Sequence, residues 1–176
     1  MNDKQNKIFQ IFNPGVAWVC LCFAFAVHVA DEALMDFLSV WNPGVMKLKD
    51  TIPFLPLPTF SFEVWITGLI LANIILFSLS PYAFRKRKFM VLLSYSVGVV
   101  LLLNGLQHMI SSFYLMQVLP GFYSSPFLIF CSINLLLSIN RQTSTEIIHN
   151  KLAVLKVQES NLPVLILALH YAECSF

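Results

Sequence analysis

The chain has 176 residues, of which 57% are hydrophobic and only 11% charged, with a mean hydropathy of +0.74. A soluble domain carries about 25% charged residues, so the composition excludes one and points to an integral membrane protein of a size for one compact helical bundle. The net charge of +2 is small, and the basic residues are not interleaved with aromatics, which excludes a nucleic-acid-binding surface.

Met1 to Asn13 is polar with an apolar stripe of Ile8, Phe9, Ile11 and Phe12, the pattern of a segment lying on a membrane surface. Asn13-Pro14-Gly15 then punctuates the start of the first apolar run. That run is too long for a signal peptide and meets acids where a cleavage site would need small residues, so it is expected to stay in the mature protein. It predicts a first span over 16–41, with Trp41 as interfacial anchor. Pro43, Pro53, Pro56 and Pro58 make 42–61 a loop. The loop reads either as an interfacial connector or as a lid whose residues 52–60 touch Asp36 or Glu63. A second span over 62–80 has Ser61 as N-cap and Glu63 in its first turn, and Pro81 ends it. The dense charge run Arg85-Lys86-Arg87-Lys88 precedes a third span over 89–117. Pro120-Gly121 turns the chain into a fourth, 123–140. From Thr143 to Gln158, Ile147, Ile148, Leu152 and Leu155 share one face of an amphipathic surface helix. The apolar stretch from Leu162 to Phe176 is too short to cross a bilayer comfortably. Cys20, Cys22, Cys131 and Cys174 match no metal or redox spacing. The expected fold is all-α: an integral membrane four-helix bundle over 1–142, with a cytoplasmic amphipathic C-terminal helix in 143–176.

Within the first span lies His28-Val29-Ala30-Asp31-Glu32. Charged groups inside an apolar span cost roughly 2.5–3.5 kcal/mol each on insertion scales, so a partner is required. His28, Asp31 and Glu32 share one helix face at i, i+3 and i+4, and Asp36 extends it. The positive-inside rule places Arg85 to Lys88 in the cytoplasm, and with four spans both termini follow. Counting the helical rise from that face puts His28 roughly 21 Å and Glu32 roughly 27 Å up span one, against roughly 23 Å for Asn104 and 29 Å for His108 on span three. Glu63 lies near the outer end of span two. His108 and Asn104 are thus the expected partners of His28 and Glu32, with Asp31 and Glu63 at the margin. Asn73 and Asn134 are expected to be interhelical hydrogen-bond donors, and His149 and His170 surface histidines; Glu173 repeats the His-x-x-acid spacing in the tail.

The sequence resembles the HXXEE-motif membrane proteins, small multi-span proteins named for a His-x-x-Glu-Glu run in an early helix. The matching residues are His28, Asp31 and Glu32, then Asn104-Gly105-Leu106-Gln107-His108 and the Pro120-Gly121 turn, over about 16–140. The departure is Asp31, which keeps the charge and shortens the reach. The resemblance implies a membrane location and a polar site, with no settled reaction.

From the residues themselves, His28, Asp31, Glu32, Glu63 and His108 form a candidate ligand set for a divalent Zn, Fe or Mn ion. Glu32, His108 and Asn104 are the catalytic candidates of a metal-dependent hydrolase or oxidase acting on a lipid-like substrate. The alternatives are a metal-free acid–base isomerase of lipids, a subunit of a proton- or cation-coupled transporter, and a polar cluster that only locks helix packing. The partners expected are membrane lipid and that substrate; the oligomeric state is left open.

Overall fold

The computed structural model describes residues 13–54 and 56–173, with side chains over the same ranges up to Leu152 except at 146, 149 and 150. The described residues form helices and no strand. They are α1 (Pro14–Leu34), α2 (Phe37–Thr51), α3 (Phe62–Ser78), α4 (Ser80–Phe84), α5 (Lys88–Tyr114) and α6 (Ser125–Glu173). Pro14–Leu34, Phe62–Phe84 and Lys88–Tyr114 are long and apolar enough to cross a membrane. The chain divides into two compact units, Met1–Ile139 and Asn140–Phe176.

Helix α1 starts where Asn13 accepts a hydrogen bond from the Gly15 N–H at 2.9 Å, with Pro14 in the first turn. Its buried face carries Pro14, Trp18, Leu21, Phe25, His28 and Glu32, alternate steps of four and three that form one seam. The seam is apolar until its last turn and ionisable there. In α5 the same rhythm buries Ser94, Gly98, Leu101, Gly105, His108 and Ser112. Two glycines on this seam let α6 approach closely: a Cβ at Gly105 would lie 2.9 Å from Ile129, and one at Gly98 3.0 Å from Leu136. On α6, Leu128, Cys131, Leu135 and Ile139 complete the core.

Helix α1 is also tied to α3 by polar groups. Trp18 donates its indole N–H to the Leu76 carbonyl at 3.0 Å, and Asn73 donates to the Cys22 carbonyl at 3.5 Å. Asn73 is therefore the interhelical donor its position suggested. Asn134 is not, because its amide bonds the Phe130 carbonyl of its own helix at 2.8 Å. Cys20 is exposed while Cys22 and Cys131 are buried, all as free thiols.

Four expectations are corrected. The first span ends at Leu34, not Trp41: Met35 caps it, and Asp36 takes a left-handed conformation (φ 50°, ψ 58°) that turns the chain into α2. Aspartate visits that region more readily than most residues, so the break needs no glycine. Residues 42–51 are helix, with Pro43 inside it. An internal proline costs about 3 kcal/mol. Set against this, Asn42 donates to the Phe60 carbonyl and accepts from the Phe60 N–H, at 2.9 and 3.1 Å, and Trp41 donates to Pro58 at 3.2 Å. Pro81 does not end the helical path, since it opens α4 and the path continues to Phe84. Finally, α6 has no break at residues 140–142.

Ile147, Ile148 and Leu152 are exposed. The stripe before Asn13, the side chains of Leu155, His149, His170 and Glu173, and the side chains from Leu162 to Phe176 lie outside the described residues.

If the α5–α6 contact is set by Gly105, a side chain there must push α6 off the seam. We expect Gly105→Val to destabilise the protein by about 1–3 kcal/mol, read as a lower melting temperature in detergent. Gly68→Ala, whose Cβ would meet nothing within 4 Å, should not lower it. Equal melting temperatures for wild type and Gly105→Val would refute the close packing.

Candidate metal centre at the end of the α1–α5 seam

The last turn of the α1 seam and the matching turn of α5 bring His28, Glu32 and His108 together. His28 is fully buried, and Glu32 and His108 are each 5% exposed. Glu32 is the hub. Its Oε1 lies 2.9 Å from His108 Nε2 and 3.6 Å from His28 Nε2. The two imidazoles meet edge to face with ring centroids 4.9 Å apart. Each of the three residues offers one ligand atom, all within 4.8 Å of one another. Asn104, one turn below His108, places its amide nitrogen 2.9 Å from His28 Nε2. The expected meeting of His28 and Glu32 with Asn104 and His108 is present.

The remaining candidates lie elsewhere. Asp31 is half-buried and turned to the start of α6, where its Oδ2 accepts from the Ser124 N–H at 2.9 Å and the Ser124 hydroxyl at 2.8 Å. Glu63 is exposed in the first turn of α3 and is not part of the group. The helical distance that put Glu63 at a compatible depth did not fix its azimuth. Asp36, also exposed, leaves the shared face because α1 has already ended.

Ser124 is the residue of the cluster that sequence reasoning missed. It stands 2.8 Å from His28 Nδ1. A serine after a turn carries no sequence signal of such a role; only the tertiary fold brings it to a histidine far back in the chain. Hydrogen-bond accounting then orders the site. The Asp31 carboxylate can only accept, so the Ser124 hydroxyl proton points to it. Ser124 Oγ must then accept from His28 Nδ1–H. That leaves His28 Nε2 as an acceptor, matched by the Asn104 amide donor. The relay Asp31–Ser124–His28 thus presents an unprotonated Nε2 toward Glu32, the orientation by which outer-shell partners prepare an imidazole for a metal.

The turn before α6 closes the site from above. Gly121 has φ +83°, and a Cβ there would lie 2.9 Å from His108 Nδ1 and 3.0 Å from His28 Cε1. Only glycine meets both demands. The Ser125 hydroxyl bonds the Gly121 carbonyl at 2.6 Å and holds the turn in place.

Phe37, the first residue of α2, lies over His108 with centroids 5.7 Å apart and stacks on Trp41 and Trp65. Beside them is a cavity of about 220 Å³ bounded by α2, Leu57 and the last turns of α5, with His108 in its wall. The element covering the site is therefore α2. Of the loop expected as a lid, Leu57 reaches the cavity, and among the described residues its hydrogen bonds run to Trp41 and Asn42, with none to Asp36 or Glu63.

The tautomer of His28 can be measured directly. We expect the nitrogen-15 shifts of His28 in metal-free protein to show a protonated Nδ1 and a free Nε2. Ser124→Ala should move the population toward the other tautomer, and Ser124→Thr should restore it. A wild-type His28 protonated at Nε2 would contradict the relay.

The family model described as a protein of unknown function with HXXEE motif matches residues 18–135. No curated protein and no solved structure matches the chain. The match spans α1 to α6 and includes every residue of the His28–Glu32–His108 group with its Asn104, Asp31 and Ser124 supports. With its His28-x-x-Asp31-Glu32 run at the hub of a buried three-residue cluster, the chain belongs to the HXXEE-motif family.

Proposed function

We propose that the protein is a four-span membrane enzyme that uses a divalent metal held by His28, Glu32 and His108 to hydrolyse a lipid-like substrate. The observation that carries this reading is the group itself: two imidazoles and one carboxylate, buried, with ligand atoms within 4.8 Å of one another. Bonds of about 2.0–2.2 Å to one ion bring such atoms somewhat closer, so small side-chain adjustments suffice and the donor set fits. Two histidines with one glutamate, leaving a position open, is a pattern of catalytic zinc. A zinc ion there would polarise a carbonyl and activate water. The chain's own residues do the rest. Asp31 and Ser124 hold His28 in the ligating tautomer. Asn104 is the uncharged donor beside the group: its amide bonds His28 Nε2 and would turn to a substrate oxygen when that nitrogen takes a metal, and α2 with the Gly121 turn limits water. The same two-histidine, one-carboxylate set also suits non-haem iron, which supports a lipid oxidase as the second reading.

The fourth span is the part of α6 before Asn140. It supports a crossing because its exposed side chains, among them Phe127, Phe130, Ile133 and Leu137, are apolar. With Arg85 to Lys88 in the cytoplasm, both termini and the C-terminal amphipathic helix lie on that side, and the His28 end of α1 lies toward the other.

Elemental analysis of protein purified in mild detergent tests the metal. We expect one zinc per chain, absent from His28→Ala and Glu32→Gln while helical content is retained. Binding should weaken as pH falls, because imidazole and carboxylate must be deprotonated to ligate a metal. Iron in place of zinc would favour the oxidase. A wild-type protein that takes up no metal would overturn both and leave acid–base catalysis, ion coupling or packing. Topology is tested by labelling Lys86→Cys, which we expect to react only from the cytoplasmic face.

A further inference from the structure

We propose that the cavity beside His108 binds a single-chain amphiphile whose head is uncharged and bears an ester or amide carbonyl. The inference rests on the hydrolase reading above, and names its substrate class. Three features of the cavity support it. Its volume of about 220 Å³ lies below the roughly 300–1,000 Å³ of pockets for drug-sized ligands. That is room for part of one slender chain and not for a two-chain lipid. Its walls are apolar where α2 and the loop supply Val40, Leu48 and Leu57, and Leu119 faces them. Its polar groups are confined to α5, where Gln107, His108 and Ser111 occupy one helical turn. Residues three and four apart share a face, so the amide and hydroxyl donors stand on the side of the histidine.

The absence of charge sets the head group. Among the described residues, no lysine, arginine or acid lines the cavity; Lys47, Lys49 and Asp50 of α2 are exposed and outside it. A phosphate or carboxylate drawn in would lose its hydration with no lysine or arginine in the walls to replace it, at a cost of several kcal/mol. A carbonyl oxygen loses little, since Gln107 and Ser111 offer donors. The route inward follows from α2. It carries apolar Leu38 and Val45 on its buried side and charges on its exposed side, as a helix in a membrane interface does. A chain therefore enters from the leaflet along α2, and its head stops at the α5 turn that carries His108.

Gly44 provides the test. It lines the cavity, and a Cβ there would meet nothing within 4 Å, so a larger residue fills the space without moving backbone. Trp41, also in the wall, reports the occupant. Metal-free protein in detergent is titrated with a monoacylglycerol brominated on its chain, and Trp fluorescence is read. We expect saturable quenching, and affinity at least about tenfold weaker for a lysophosphatidate with the same brominated chain. Gly44→Phe, and separately Val40→Phe, should each remove the saturable component, with the melting temperature retained. Equal affinity for the charged and uncharged lipids would overturn the proposal, as would undiminished quenching in both variants. Metal content is assayed on the same preparations. Saturable quenching in protein that takes up no zinc would leave the cavity assigned and the metal reading refuted. Full zinc loading with no saturable quenching would do the reverse.

Discussion

A carboxylate inside an apolar span must be compensated, and Glu32 is the residue at which this requirement acts most strongly. It is 5% exposed and bonded to His108 at 2.9 Å. Left alone it would be unfavourable by several kcal/mol. Much of the fold can be understood as the supply of its partners. The seams of α1 and α5 run in parallel so that Glu32 and His108 arrive together. The glycines on α5 bring α6 close, and α6 delivers Ser124 to the second histidine. The Gly121 turn passes over both rings where no side chain would fit. A purely structural polar knot could use any mixture of hydrogen-bonding groups. This one gathers two imidazoles and a carboxylate, and equips one imidazole with a separate acid and hydroxyl that set its tautomer.

The two acids of the motif have different work. Glu32 faces inward along the seam, whereas Asp31 lies beside it and reaches the start of α6. The shorter side chain at position 31 is adequate because its partners, the backbone and hydroxyl of Ser124, come to it. The departure from the family's glutamate at this position thus falls on the residue that holds a serine, not on the hub.

Three apolar helices long enough to cross a membrane and the meeting of His28 and Glu32 with Asn104 and His108 were legible, because long apolar runs form such helices, depth follows from a fixed helical rise and burial of charge forces compensation. Direction around the helix axis was legible only where both residues lay on a seam with clear periodicity. Glu63 had depth but no seam, and it faces outward. The end of α1 was misplaced for a different reason. Leu34 to Trp41 remains apolar enough to continue the span, and the turn that interrupts it depends on the conformation of Asp36 alone. Pro43 misled in the opposite direction, because the Asn42 and Trp41 bonds that anchor α2 to the following loop are tertiary. Ser124 could not be found at all: its role comes from what lies opposite, 96 positions away along the chain.

That separation bears on how the protein is made. Helix α1 carries His28, Asp31 and Glu32 and is synthesised well before Asn104, His108 and Ser124. Until α5 arrives Glu32 has no His108, and until the turn before α6 forms Asp31 has no serine. The early helix is therefore held in the membrane at a disadvantage that only the last helices remove. Truncation before Ser124 leaves an acid and a histidine without their partners, a species with reason to linger at the insertion machinery, to associate with other polar helices, or to be removed by quality control. The cluster thus ties the compensation of α1's acids to every element through the start of α6, since its bonds are complete only when Asn104, His108 and Ser124 are all in place.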